Sequence, residues 1–221
     1  MTTIEQEHPD RSARIAGIVL IAASLLSILL MAHHPTAGAH DRAALAADIA
    51  GSAALSRFVH GGLIALIAAE MFAFVVFTAH VGAGRTAARA GLVAYSIGSG
   101  AMIGAALISG FVVSDLAAHY AGAPDAATFA DLGRLAMAGN QALAKLGTMA
   151  MSAGIVLWAI AFLHERRGHW LAIVGLLAGV LPAAALAFGF IRLDVTGMLL
   201  VVVAWTVWNL AAGIHLVREK A

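Results

Sequence analysis

Six apolar runs mark out the chain, at residues 15–31, 59–80, 90–113, 143–163, 170–190 and 197–217. Each is close to the ~20 residues that a helix needs to cross the hydrocarbon of a bilayer. The runs are long and rich in Ala, Leu and Gly, without two-residue alternation, so their periodicity predicts helices rather than strands. A backbone in lipid must satisfy its own hydrogen bonds, which makes one helix per run the economical solution. The expected fold is therefore all-α: one membrane domain over residues 1–221, a polytopic bundle of six transmembrane helices. The first run also resembles the apolar part of a signal peptide, with Ala37-Gly38-Ala39 as a cleavage-like site, but it is long for that role and is read as a span.

The polar stretches between the runs differ in length. Two are long, 32–58 and 114–142, and both fall on one side of the predicted bundle. In the first, Asp41 is a candidate N-cap for a short helix that carries Leu45 and Ile49 on one face. In the second, Pro124-Asp125 is a helix-start signal, Phe129, Leu132 and Leu135 form an apolar stripe, and Gly139 is expected to end the helix before the fourth span. These two segments are expected to be short interfacial helices capping the bundle. Basic residues set the orientation. With the N-terminus inside, short cytoplasmic segments carry Arg11, Arg14, Arg85, Arg89, Arg166, Arg167, Arg218 and Lys220, while Arg42, Arg57, Arg134, Lys145 and Arg192 spread over the outer segments. That asymmetry predicts both termini in the cytoplasm and the long loops outside.

Composition sharpens this picture. The chain is 62% hydrophobic and 11% charged, with a mean hydropathy of +0.92, so lipid must cover much of its apolar surface. A net charge of +1 gives no general attraction to nucleic acid. The absence of cysteine excludes disulfides, thiolate metal sites and iron–sulfur clusters. Ten histidines then form the main reserve of metal-ligating and titratable groups.

Nine of the ten histidines, all but His8 in the N-terminal tail, fall into two sets. His33, His34, His40, His60 and His119 lie toward the long-loop side. His33 and His34 end the first span, His60 begins the second, and Asp115 and His119 are four residues apart at the end of the third, on one helical face. Imidazoles from two helix ends with a carboxylate nearby suit copper or zinc, which makes His33, His34, His60, His119 and Asp115 the candidate metal ligands. The other set, His80, His164, His169 and His215, sits at the opposite helix ends, where an imidazole is favoured by the helix dipole and the membrane border. Histidines on both faces also raise a haem b reading, but His60 and His80 are twenty residues apart on one helix, about 30 Å at helical rise.

Glu70 is the sharpest single residue, near the middle of the second span with no charge beside it in sequence. An intramembrane carboxyl costs several kcal/mol and by default faces the bundle interior. Asn209 falls at similar depth on the sixth span, and Ser24, Ser27, Ser99 and Ser152 complete a candidate midplane polar cluster. Such a cluster serves as a proton or cation relay, as a polar anchor in a ligand pocket, or as interhelical glue. Met102, Met149 and Met151 are compatible with a copper path, although alternate residues on a helix do not share a face. For helix packing, Gly100-x-x-x-Gly104 and Gly175-x-x-x-Gly179 offer close approach inside the bundle or at a homodimer face. Pro182 is expected to kink the fifth span.

Residues 167–179, Arg167-Gly-His-Trp-Leu-Ala-Ile-Val-Gly-Leu-Leu-Ala-Gly, and residues 204–216, Ala204-Trp-Thr-Val-Trp-Asn-Leu-Ala-Ala-Gly-Ile-His-Leu, resemble the closing hairpin of a widespread six-helix bacterial membrane family of unknown activity. Arg14-Ile-Ala-Gly-Ile and Ser56-Arg57-Phe58 fit the same layout. The resemblance implies only a six-helix integral membrane protein of unknown activity and no functional residues; the histidine-rich first loop lies outside the family pattern, and a bacterial inner membrane is the expected location. The combined expectation is a non-enzymatic membrane protein with an outward-facing site for copper or zinc. A small proton- or cation-coupled transporter using Glu70, or a haem-binding electron carrier or accessory subunit with a membrane partner, is the alternative. No Ser/His/Asp arrangement, phosphate loop or zincin motif supports hydrolysis. Because the chain lacks cysteine, orientation is testable by labelling: in intact cells a membrane-impermeant maleimide should modify Ala37→Cys and spare Gly84→Cys. The reverse pattern would invert the topology.

Overall fold

The computed structural model describes residues 7–35, 42–82, 84–122, 126–163 and 168–218. His40, Asp41, Pro124, Asp125 and His164 lie outside them. The chain forms α1 (Glu7–Ala32), α2 (Arg42–Gly82), α3 (Thr86–Leu107), a π-helical turn (Ile108–Val112), α4 (Val113–Tyr120), α5 (Ala126–Phe162), α6 (His169–Ala187) and α7 (Val195–Arg218). No strand occurs among the described residues. Six helical stretches are long and apolar enough to cross a membrane, α3, the π turn and α4 counting as one, so the chain is a multi-pass membrane protein in architecture. Side chains such as Ile18, Leu29, Ile97, Ile173 and Leu200 point outward, as lipid requires.

The six spans close into a ring in which α1 packs on α2, α2 on α3, α3 on α5, α5 on α6, α6 on α7 and α7 on α1. Without a hydrophobic drive between helices in lipid, close approach depends on small residues. The two tightest seams are paired glycines. On α3 and α5, Gly91 faces Gly154 and Gly98 faces Gly147; a Cβ at Gly98 would stand 2.6 Å from the Met151 nitrogen and 2.9 Å from the Gly147 carbonyl oxygen. On α1 and α7, Gly17 and Gly213 each present their carbonyl to the other, 2.6 and 2.7 Å from the Cβ the partner lacks. Gly175 and Gly179 on α6 lie against α5, at Ala159 and at the Ser152 carbonyl, whereas Gly100 meets nothing within 4 Å and Gly104 meets only Leu143. α6 runs through Pro182 as one helix.

The two separate short interfacial helices are not found. Residues 42–58 are the first part of the 41-residue α2, and residues 126–142 the first part of the 37-residue α5. At 1.5 Å per residue these helices are about 62 and 56 Å long, roughly twice the hydrocarbon thickness. Neither stretch contains a proline. A single glycine costs only about 1 kcal/mol in a helix interior, so Gly139 among good helix formers does not stop α5. The extensions of α2 and α5 meet α4 in a lobe beyond one end of the bundle, with a small core of Ala46, Ala117 and Phe129 backed by Leu45, Ile49 and Leu116. Leu132 and Leu135 turn away from it, Leu135 being 73% exposed. The opposite end, where α1 starts and α7 finishes, is the terminus side.

Inside the ring the terminus half is solid. Phe74 stacks on Trp158 at 4.5 Å, Phe77 packs edge-on against Trp158 and Trp208, and Phe162 adjoins Phe77. Each such pair adds about 0.5–1.5 kcal/mol beyond area burial. The glycine seams give the clearest stability test. Gly98→Ala should lower stability by about 1–3 kcal/mol in detergent, because backbone must move to admit the methyl group. Gly100→Ala, in open space, should leave it unchanged or slightly raised, with thermal unfolding as the measurement.

Candidate functional site

The lobe half of the ring is hollow. A cavity of about 600 Å³ runs from His34, His60 and the loop carrying Arg192 and Asp194 down to Glu70 and Asn209. His60 and Glu70 are ten residues apart on α2, so the cavity is about 15 Å deep at helical rise. Five of the eight methionines line it, Met31, Met102, Met137, Met151 and Met198, with Ile67, Val202 and Trp205 among the other wall residues. The aromatic packing of the terminus half lies beneath it. A polar path from His60 past Glu70 toward His80 therefore stops at Glu70, because Phe74 and Phe77 fill the next two turns of α2.

Four helices converge on the cavity floor. Ser24 of α1 donates to Glu70 Oε1 at 3.0 Å, and Tyr95 of α3 donates to Glu70 Oε2 at 3.1 Å. Asn209 of α7 donates from Nδ2 to the Ser24 hydroxyl at 2.9 Å, which leaves the Ser24 proton for Glu70. Asn209 Oδ1 is buried without a hydrogen-bond partner. Ser27 lines the same cavity. Ser152 instead accepts from Trp205 Nε1 at 3.2 Å, and Ser99 is buried with its hydroxyl unpaired. Below, Trp158 Nε1 donates to Thr78 at 3.1 Å.

At the mouth the structure brings two of the candidate metal ligands together. His34 Nε2 and His60 Nε2 are 3.1 Å apart. His60 Nδ1 lies 2.8 Å from the Ser56 carbonyl oxygen and His34 Nδ1 lies 2.9 Å from that of Pro35. A carbonyl only accepts, so a proton on each Nδ1 satisfies both contacts, with the Ser56 hydroxyl also 3.4 Å from His60 Nδ1, and in that tautomer each neutral ring carries a bare lone pair on Nε2. Burial pushes the His34 imidazole below its ordinary value, with the Pro35 carbonyl acting against that shift. The π turn makes the space for this pair. A Cβ at Gly110 would come within 2.4 Å of His60 Cβ, so the backbone of the turn is the surface on which the imidazole rests. Beside the turn, Asn140 of α5 donates to the Ala105 carbonyl at 2.7 Å. π turns inside helices recur at functional sites.

The other candidates stay apart from this pair. His33 is exposed and its Nδ1 lies 2.9 Å from the Leu29 carbonyl. Asp115 pairs with Arg57 across the lobe, and His119 packs against Tyr120. Among the described residues no group of three or more His, Asp, Glu or Cys is placed to hold a metal ion. On the terminus side, His80 faces His215 at 6.0 Å between ring centres. Tyr95, Gly110 and Asn140 escape a reading of the sequence. Tyr95 carried a signal, as one of two tyrosines in the chain and set within an apolar run. Gly110 carried none, since nothing marks Ser109-Gly110 as the site of a π turn.

Compared with protein-family models, with curated proteins and with solved structures, the chain finds no match. The floor network is testable by its contribution to folding. Glu70→Leu leaves the Ser24 and Tyr95 hydroxyls without their acceptor and should destabilise by about 1–3 kcal/mol for each orphaned group. Glu70→Gln keeps an acceptor and should cost less, read by unfolding in detergent.

Proposed function

We propose that this membrane protein binds a single transition-metal ion between His34 and His60 at the mouth of its cavity. The observation that carries the reading is the facing pair of Nε2 atoms, 3.1 Å apart, with both Nδ1 atoms engaged by backbone carbonyls. Two bare lone pairs at that distance repel unless a cation lies between them. Two metal–nitrogen bonds of about 2.0–2.1 Å meeting at one ion set their nitrogens about 2.9–3.4 Å apart for angles near 90–110°. Anchoring the second ring nitrogen on a carbonyl is the arrangement that orients metal-ligating histidines. The separation is short for haem b, whose two axial nitrogens stand on opposite sides of the iron, about 4 Å apart at similar bond lengths.

Of copper and zinc, copper(I) suits the surroundings better. Thioethers favour it, and Met31 lines the cavity together with both histidines, with no carboxylate in contact with either ring among the hydrogen bonds and ion pairs described. With the long loops outside, as the distribution of basic residues predicts, the ion would be exchanged with the outer compartment. Asp115, His33 and His119 take no part in this assignment.

The test is stoichiometric copper(I) and zinc binding, by elemental analysis of tag-free protein. Wild type should hold one ion per chain, and His34→Ala and His60→Ala should each lose it. Gly110→Ala, which displaces the His60 ring, should weaken binding about 10–100-fold, as loss of a positioning contact does at metal sites. His33→Ala and His119→Ala should bind normally. Failure of wild type to retain either ion, or retention by the His34→Ala and His60→Ala variants, would overturn the assignment and leave a proton as the shared cation.

A further inference from the structure

We propose that the floor of the cavity is a second binding site, for an organic ammonium ion whose charged head sits on Glu70 and Asn209 and whose apolar body fills the space above. This inference does not depend on the metal assignment at the mouth.

Charge and hydrogen bonding are unbalanced at the cavity floor. Glu70 is buried, and its two oxygens accept from Ser24 and Tyr95, both neutral hydroxyls. No lysine or arginine is bonded to it among the described contacts, and the one arginine lining the cavity, Arg192, belongs to the loop at the mouth. A buried carboxylate with only neutral partners is costly, and a positive charge beside it offsets that cost. Asn209 Oδ1, on the 2%-exposed Asn209, is an acceptor with no donor. The carboxylate and the amide carbonyl belong to residues joined through one hydroxyl, that of Ser24. A group that is positive and donates more than one hydrogen bond would satisfy both. An ammonium does both.

The walls say what the ammonium is attached to. Met102, Met151, Met198 and Trp205 line the space together with aliphatic side chains. A cavity of about 600 Å³ is far larger than a bare inorganic cation with one or two waters requires, at about 30 Å³ per water. It lies within the range of pockets that enclose small organic molecules. Thioethers adapt to irregular apolar shapes, and an indole face attracts a cation. The ligand class is a compact, largely apolar primary or secondary amine, with tolerance in the shape of its body and strictness at its head.

The experiment is isothermal titration calorimetry on the full chain in lipid nanodiscs, with a chelator present so that no metal occupies the histidine pair, with His34→Ala/His60→Ala protein as a control that should bind the ammonium equally, and with empty nanodiscs as the blank. The probes share one rigid apolar body: 1-adamantylammonium, 1-adamantanol and 1-adamantanecarboxylate. The ammonium should bind saturably at one site per chain, the alcohol at least tenfold more weakly, and the carboxylate not at all. Glu70→Gln, confirmed as folded by its unfolding temperature, should weaken the ammonium at least tenfold and leave the alcohol unchanged. Ammonium binding no tighter than that of the alcohol, or unaffected by Glu70→Gln, would overturn the proposal. So would competition in which sodium ions displace the ammonium from wild type, because the site would then be one for an inorganic cation.

Discussion

Hydrocarbon offers a polar side chain no hydrogen bond, and the interior of this bundle is arranged around that constraint. Glu70 cannot face lipid, so α2 must turn it toward the ring interior, where helices α1, α3 and α7 supply Ser24, Tyr95 and Asn209. α5 is tied in separately, through Trp158 to Thr78, Ser152 to Trp205 and Asn140 to the Ala105 carbonyl. Apolar packing cannot select one arrangement of near-equivalent Ala- and Leu-rich helices in lipid, because lipid tails are as apolar as the helices. Directional polar contacts and glycine seams can. The seams draw α3 to α5 and α1 to α7, while the ring leaves an interior that is solid with aromatic rings toward the terminus side and open toward the lobe.

The open half concentrates the polar chemistry that the spans contain. At its mouth two imidazoles, fixed by carbonyls through their inner nitrogens, point their outer nitrogens at each other. At its floor the Glu70 carboxyl and the Asn209 amide meet at the Ser24 hydroxyl. The two positions are about ten residues apart along α2 and are separated by thioether and aliphatic walls. Both line the same cavity. The π turn connects them to the fold: it lets Gly110 back onto His60 in the middle of an otherwise continuous 35-residue helical stretch. The lobe supports this geometry by extending α2, α4 and α5 beyond the spans, where Arg57 and Asp115 hold α2 to α4.

The spans were legible in the sequence because membrane thickness imposes a length and hydropathy that few other structures share. Glu70 and Asn209 were legible as interior residues for the same reason, and the structure places both at one serine. What the sequence hid were the features decided by three-dimensional register. The supposed interfacial helices at 42–58 and 126–142 carry the amphipathic pattern of short caps, yet helix propensity continues unbroken into the spans, and amphipathicity reported the lobe core instead. Gly100-x-x-x-Gly104 has the spacing of a packing motif, but Gly100 faces open space, while the closest seam uses Gly91, Gly98, Gly147 and Gly154, spaced by seven. Glycine spacing tells that a helix can approach another; the azimuth at which it does so depends on its partner. Five candidate metal ligands shared a side of the membrane, but only His34 and His60 share a point, since Asp115 is taken by Arg57 and His33 and His119 face outward.

In the proposed site His34 and His60 offer their outer nitrogens to one cation. Nitrogen-15 NMR of histidine-labelled protein, metal-free and then loaded with copper(I), reads this directly, with His34→Ala and His60→Ala assigning the signals. In the neutral rings of both residues the proton should sit on Nδ1, and copper(I) should shift the two Nε2 resonances together while Nδ1 stays protonated. A neutral ring of either residue protonated on Nε2, or copper that leaves both Nε2 resonances in place, would contradict it.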